Sequence, residues 1–149
     1  MNSHATVYYT KNGGYTPTQG YPTDTGWDLY TSEDVVIHPG EFMDVHTNIH
    51  VQLPPGVWCM VVGRSSTGRK HGLRVEMGII DNEYTGELFV GVWNITNKPV
   101  TVSKGMRLAQ LILFDLVPVV WQEVNKLGTT SRGSAGFGST GVGTHGQDD

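Results

Sequence analysis

Two stretches of the chain alternate apolar and polar residues with the two-residue period of a half-buried strand. In residues 48–53, NIHVQL, every second residue is apolar, and residues 87–94, ELFVGVWN, repeat the alternation. Because successive side chains of a strand point to opposite faces, one face of each stretch is expected in the core. The pattern predicts two strands, the second with Glu87 and Asn94 on the face opposite its apolar residues.

Other apolar stretches are separated by HPGE, LPPG, NEYTG, TNKP and SKG, which contain the residues that favour tight turns. VWCMVV at 57–62 predicts a third strand, whereas 106–113 fits either a strand or a helix. This rhythm favours an all-β fold, an antiparallel β-barrel or distorted jelly roll. After Trp121 the pattern gives way to Gly, Ser and Thr, so we predict a β-barrel domain over 1–127 and a flexible arm over 128–149.

Composition narrows the class of protein. The chain has 149 residues, of which 38% are hydrophobic, enough for one domain with its own core. A net charge of -4 argues against nucleic acid and anionic membranes as partners, since both attract clusters of Lys and Arg. The single Cys59 predicts a buried, reduced thiol. Without a leader-like N-terminus or a long apolar run, we expect a soluble protein of the cytoplasm, or of the host cytoplasm if the source is viral.

The glycine-rich segment RGSAGFGSTG, residues 132–141, contains the letters G-x-G-x-x-G. A dinucleotide-binding loop also needs a helix and a later acidic residue, and a Walker loop needs a following Lys, so neither is expected here. Arg132 is suited to bind a phosphate, Phe137 to stack on a base, and glycine N–H groups to wrap anionic oxygens. The segment fits either a solvated tail or a lid over a nucleotide.

Three segments of the body carry residues that would match such a lid. GRSSTG places Arg64 beside hydroxyls in a predicted turn, and GIIDNEYTGE resembles a hairpin that presents Asp81 and Tyr84. KGMRLAQLIL places Arg107 and Gln110 at the head of an apolar element. Taken singly, each segment also fits an ordinary turn or core element.

Taken in order, these segments resemble the trimeric dUTPase family. The matching motifs are G-x-D-L at GWDL, R-S in GRSS, I-D-x-x-Y-x-G, G-x-R-x-A-Q and R-G-x-x-G-F-G-S-T-G, from Gly26 to Gly141. The resemblance implies a jelly-roll homotrimer whose active sites are shared between subunits. It also implies Mg²⁺-dependent hydrolysis of dUTP to dUMP and pyrophosphate, which keeps uracil out of DNA and supplies dUMP for dTMP synthesis.

The resemblance also implies a role for individual residues. Asp81 would orient and deprotonate the water that attacks the α-phosphorus, and Asp28 would hold Mg²⁺ through a water. Backbone groups near Gly78 and Ile80 would pair with uracil, and Tyr84 would pack beneath the sugar. The substrate-binding residues implied in this way are Arg64, Ser65, Ser66, Gly78, Ile80, Tyr84, Gln110, Arg132, Phe137, Gly138 and Ser139.

Three other functions compete with this one. The dCTP deaminases share the fold but carry a catalytic Glu five residues after the hairpin glycine, where this chain has Gly91. A regulatory protein that binds dUTP would use the same residues without needing turnover. A structural jelly roll such as a capsid component would leave the five ordered motifs unexplained.

The histidines in HTNIH, His46 and His50, raise the question of zinc. A zinc site needs at least three protein ligands, and no third ligand is evident near this segment. We therefore expect both to be ordinary side chains of a strand-like segment.

Overall fold

The computed structural model describes residues 4–138. The chain divides into two compact units, Met1–Val117 and Pro118–Asp149. The arm predicted to begin at residue 128 lies within the second unit.

The described residues form eleven strands, in agreement with the predicted all-β class, and one short helix that the sequence pattern did not predict. In chain order they are β1 (Tyr8–Thr10), β2 (Trp27–Tyr30), β3 (Val35–Ile37), β4 (Phe42–Val45), β5 (His50–Gln52), β6 (Val57–Gly63), α1 (Ser65–His71), β7 (Leu73–Val75), β8 (Gly78–Ile80), β9 (Val90–Asn94), β10 (Val100–Val102) and β11 (Arg107–Asp115). The segment at 106–113, which fitted either a strand or a helix, is therefore a strand.

Antiparallel pairing organises these strands. A four-stranded sheet has the order β2-β11-β6-β8, a three-stranded sheet the order β4-β9-β7, and β1-β5 and β3-β10 form two-stranded ladders. The all-β prediction is confirmed. Of the two predicted forms, barrel and distorted jelly roll, the arrangement fits the jelly roll, since the described strands form separate sheets that do not close into a barrel. Strands β2 and β8 are the edges of the larger sheet; Asp28 lies on β2, Gly78 and Ile80 lie on β8, and Asp81 follows β8.

The core is built from the predicted apolar faces. Ile49, Val51 and Leu53 are buried, which confirms the alternation over 48–53. Cys59 is also buried, and burial raises the pKa of its thiol to about 11, so the thiol stays protonated and unreactive at neutral pH. The other buried core residues are Leu29, Ile37, Val45, Val61, Leu73, Leu88, Val90, Val92, Val102, Leu108, Ala109 and Leu111.

The predicted orientation of Asn94 was wrong. Asn94 lies on the same side of β9 as the apolar residues and is 1% exposed, because an even spacing along a strand keeps it on their face. Its amide donates to the carbonyls of Ile37 at 2.8 Å and Lys98 at 2.7 Å, and its Oδ1 accepts from Thr96. These bonds satisfy a buried polar group that would otherwise be costly.

The turn predicted at GRSSTG is the start of helix α1. Arg64 is the N-cap residue in extended conformation, and the helix ends at Gly72, whose φ of 68° is the left-handed geometry that glycine adopts freely. Basic residues in the last turn complement the helix dipole. The helix is too short and polar to cross a membrane, and no described helix is long and apolar enough to do so.

The predicted hairpin around Asp81 was also wrong. β8 pairs with β6, whereas β9 pairs with β4 and β7 in the other sheet. The segment between β8 and β9 therefore connects two sheets. Asp81 begins a turn in this connection, in which the Tyr84 amide donates to the Asp81 carbonyl at 3.0 Å.

Candidate functional site

A cavity lined by charged and polar residues lies where β2, β6 and β11 meet. Since β11 pairs with both β2 and β6, their ends converge on one cavity of about 380 Å³, which we call the Arg64 cavity. It is lined by Gly20, Asp24, Thr25, Gly26, Asp28, Arg64, Ser65, Arg107 and Gln110. The structure thus brings four of the predicted site residues, those at positions 28, 64, 65 and 110, around a single space.

Ion pairs fix the charged groups of the Arg64 cavity. Arg64 Nε lies 3.0 Å from Asp28 Oδ1, and Arg107 Nη1 lies 3.9 Å from Asp28 Oδ2. Arg64 Nη1 also donates to the Arg107 carbonyl at 3.2 Å. These contacts engage two of the three guanidinium nitrogens, and Nη2 has no partner among the described residues. A positioned guanidinium of this kind is well suited to bind a phosphate oxygen.

Gln110 is held in the cavity by a close contact with Gly26. Its side-chain amide donates to the Gly63 carbonyl at 3.1 Å. A Cβ at position 26 would lie 2.0 Å from Gln110 Oε1 and 2.9 Å from its Cδ. Glycine in the G-x-D-L motif therefore leaves the space that the glutamine of the G-x-R-x-A-Q motif occupies.

Substituting Gly26 with Ala should displace Gln110. We expect loss of the bond to Gly63 and a decrease of about 1 kcal/mol in the free energy of unfolding, measured by denaturant titration. Gly68→Ala is the matched control, because the nearest atom there is 3.8 Å away and alanine favours a helix. A Gly26→Ala variant as stable as Gly68→Ala would contradict this packing argument.

Asp81 lines a second cavity of about 480 Å³, which we call the Asp81 cavity. Its lining residues are Trp58, Ile79, Asp81, Asn82, Glu83 and Leu116. A cavity of this kind can bind a planar ring against its apolar wall and a water molecule at its carboxylate.

The Y-x-G part of the motif after Asp81 has a steric explanation. The Tyr84 hydroxyl donates to the Glu87 carbonyl at 2.8 Å, which brings the phenol back over the chain. A Cβ at position 86 would lie 2.4 Å from that hydroxyl oxygen and 2.8 Å from ring atom Cε1. Glycine at 86 is thus required for the tyrosine to lie against the backbone, where the residue remains 41% exposed.

Gly78 and Ile80 lie on β8, the edge strand beside β6. Gly78 is opposite Val61 and Ile80 is opposite Cys59. An edge strand leaves the backbone N–H and C=O groups of its outer side available for other partners. These are the groups predicted to pair with a base.

The predicted residues do not all meet within the chain. Asp81 does not line the Arg64 cavity, and Arg64 does not line the Asp81 cavity. Ser66 lies half-buried on α1 and lines neither. Ser139 lies outside the described residues.

The described part of the arm contains a local turn. Arg132 Nε donates to the Ala135 carbonyl, and the Ala135 amide donates back to the Arg132 carbonyl at 3.2 Å. Phe137 is fully exposed with a φ of 49°, and Gly138 has a φ of 91°. Phe137 therefore presents its whole ring to solvent.

The two histidines of HTNIH have partners other than a metal. His46 Nδ1 lies 2.7 Å from Glu87 Oε2, and His50 Nδ1 lies 2.8 Å from the Thr85 carbonyl. Among residues 4–138, no three His, Cys, Asp or Glu side chains cluster as a metal site.

A known protein family matches this chain. The family model described as dUTPase matches residues 14–141, a span that includes both cavities and most of the arm. The chain belongs to the dUTPase family.

Individual dUTPases are similar over most of the chain. The deoxyuridine 5'-triphosphate nucleotidohydrolase of Hahella chejuensis is 38% identical over 137 residues, which cover 87% of this chain and 90% of that protein. The mitochondrial enzyme of the same name from Homo sapiens is 41% identical over 95% of this chain, which spans 52% of its length. Staphylococcus bacteriophage 80alpha dUTPase, solved with dUPNHPP, has a TM-score of 0.85 at 25% identity and covers 92% of this chain and 99% of that one.

Some residues near the dUTPase motifs could not have been selected from sequence. Asp24 and Thr25 line the Arg64 cavity, but they precede the G-x-D-L motif in a polar stretch with no distinctive pattern. Trp58 and Asn82 line the Asp81 cavity, although in the sequence they belong to an apolar strand and to a turn. Their place at the cavities depends on the folded chain and on no local pattern of the sequence.

Proposed function

We propose that the chain hydrolyses dUTP to dUMP and pyrophosphate, by attack of water on the α-phosphorus. The observation that carries the proposal is the dUTPase family match across residues 14–141. The reaction would keep uracil out of DNA and supply dUMP for dTMP synthesis. The cytoplasm remains the predicted compartment.

In the proposed reaction, Asp81 is the general base. It orients a water molecule and takes its proton as the water attacks the α-phosphorus. A carboxylate does this when it lies within hydrogen-bond reach of the water, and it contributes roughly 10²- to 10⁴-fold to the rate. The position of Asp81 in an open cavity with an apolar wall supports this role.

The Arg64 cavity is the proposed phosphate site. Arg64, Ser65 and Gln110 supply N–H and O–H donors around one space, and donors fixed in advance stabilise the charge that develops on phosphate oxygens. Arg132 would add a second guanidinium from the arm. Ser66 is the least supported of the predicted ligands, since it lines neither cavity.

Mg²⁺ fits this cavity as an ion that arrives with the triphosphate. The carboxylates that line the cavity are those of Asp24 and Asp28, and Mg²⁺ commonly binds one or two carboxylates together with substrate phosphates. Asp28 would hold the ion through a water. When bound, the ion neutralises phosphate charge and orients the leaving pyrophosphate.

Specificity for the deoxyuridine part is proposed to come from β8 and the turn after it. The outer backbone groups of β8 near Gly78 and Ile80 would match the donors and acceptors of uracil. Cytosine would instead place donors opposite donors and acceptors opposite acceptors. Each mismatched buried group costs about 1 to 3 kcal/mol. Tyr84 would pack beneath the sugar and leave no room for a 2'-hydroxyl.

We also propose that the chain acts as a homotrimer with shared active sites. The proposed base Asp81 and the proposed phosphate ligands line different cavities of one chain, which supports an active site that combines residues of two chains. Cyclic symmetry would repeat such a site at every interface. The arm, with Phe137, Gly138 and Ser139, would close over the bound nucleotide.

A panel of nucleotides tests the proposed function. Pyrophosphate release in Mg²⁺ should be much faster from dUTP than from dCTP, dTTP or UTP. Equal rates would remove the specificity argument, and no release from dUTP would refute the function. Ammonia release from dCTP would indicate a deaminase, which is disfavoured because Gly91 stands where the deaminases carry their catalytic Glu.

A further inference from the structure

The side chain of Asn82 joins the turn that begins at Asp81 to the turn that precedes β6. Its amide nitrogen Nδ2 lies 2.8 Å from the Pro54 carbonyl and 2.8 Å from the Val57 carbonyl. The Val57 amide donates to the same Pro54 carbonyl at 3.2 Å, which closes the turn. Asn82 thus spans this turn with both of its N–H donors, and its side chain is partly buried.

The chain is consequently held on both sides of Asp81. On its N-terminal side, Ile80 pairs with Cys59 in the ladder between β8 and β6. On its C-terminal side, Asn82 is bonded to the first residue of β6, Val57, and to the turn before it. Both neighbours of the carboxylate are therefore attached to the same strand, which lies at the centre of the larger sheet between β11 and β8.

We propose that Asn82 is a positioning residue for Asp81, an inference that rests on the proposed function. Asn82 does not touch the reacting atoms in this proposal. Its two hydrogen bonds hold the backbone after Asp81, so that the carboxylate is aimed at the attacking water. A misplacement of about 1 Å in a reacting group costs on the order of 10²-fold in rate.

The chemistry of the amide explains why this position needs asparagine. Two carbonyl oxygens face the side chain, so it must supply two donors, and an amide nitrogen carries two N–H groups. An ionised aspartate of the same shape has no donor and would face two acceptors. Alanine would leave the turn without a link to Asp81.

The test compares Asn82→Ala and Asn82→Asp with the unaltered chain in steady-state dUTP hydrolysis. We expect kcat to fall about 100-fold in Asn82→Ala and at least as far in Asn82→Asp. KM, and the affinity for the non-hydrolysable analogue dUPNHPP measured by calorimetry, should stay within about 3-fold, since the phosphate ligands are untouched. Either variant alone is sufficient if the other does not fold.

Asn94→Ala is the matched control, because Asn94 also donates its amide to two backbone carbonyls, at 2.8 and 2.7 Å, but lies on β9. Rates are compared at a temperature where circular dichroism shows each variant fully folded. We expect Asn94→Ala to lower Tm while kcat stays within about 3-fold of the unaltered chain.

The outcomes separate this inference from the proposed function. If the unaltered chain does not hydrolyse dUTP, the proposed function fails. If it does, and folded Asn82 variants keep their kcat or lose analogue binding as much as kcat, the positioning role alone is refuted. An Asn94→Ala variant with an equal fall in kcat would also refute it, because general loosening would then explain the effect.

Discussion

Replacing Asp81 with Asn is expected to reduce dUTP turnover by roughly 10²- to 10⁴-fold, because an amide cannot accept a proton from the attacking water. The substitution keeps the size and shape of the side chain. Affinity for dUPNHPP should therefore stay within about 3-fold, since none of the proposed binding donors is removed. Single-turnover rates and calorimetry with the same protein preparation measure the two quantities separately.

Glu83→Gln provides the control for charge. Glu83 lines the same cavity as Asp81, but it has no part in the proposed chemistry. If catalysis requires the carboxylate at 81, the Glu83→Gln variant should keep kcat within about 3-fold of the unaltered chain. An Asp81→Asn variant that turns over at the rate of the unaltered chain would end the assignment of Asp81 as the base.

Much of the fold could be predicted because side chains that alternate between the core and the surface along a strand also alternate between apolar and polar in the sequence. Val90 and Val92 are buried on β9 as their spacing requires. Asn94 was placed on the wrong face, although its spacing of two residues from Val92 puts it on the buried face, where its amide donates to buried carbonyls. Helix α1 was missed because its signal lies beyond GRSSTG, in the basic last turn and the glycine at 72 that ends it.

The candidate site was predictable as motifs, and its geometry was not. Arg64 and Gln110 belong to separate motifs, and their meeting around one cavity follows from the pairing of β6 with β11. The partners of Asn82 are 28 and 25 residues away, at Pro54 and Val57, so no local pattern announces them. Such contacts become visible only when the register between strands is known.

The second large effect is expected because the proposed base, Asp81, and the proposed phosphate ligands, among them Arg64, lie in different cavities of the chain. If each active site takes Arg64 from one subunit and Asp81 from a neighbour, two inactive variants should restore each other. A site contained within one chain could never be restored in this way.

Arg64→Ala and Asp81→Asn are the two variants to combine. Each should be inactive alone, with at most about 1% of the normal rate, since Arg64 is the proposed phosphate ligand and Asp81 the proposed base. Co-expression with two different affinity tags, followed by purification on both, selects trimers that contain both variants. Such a trimer has two chains of one variant and one of the other.

The decisive measurement is the rate of pyrophosphate release from dUTP by these doubly purified mixed trimers. In a cyclic trimer of either composition, one of the three interfaces joins an intact Arg64 to an intact Asp81, so we expect about one third of the normal activity. Activity no higher than that of the two parent variants, from folded mixed trimers, would contradict a site assembled from two chains.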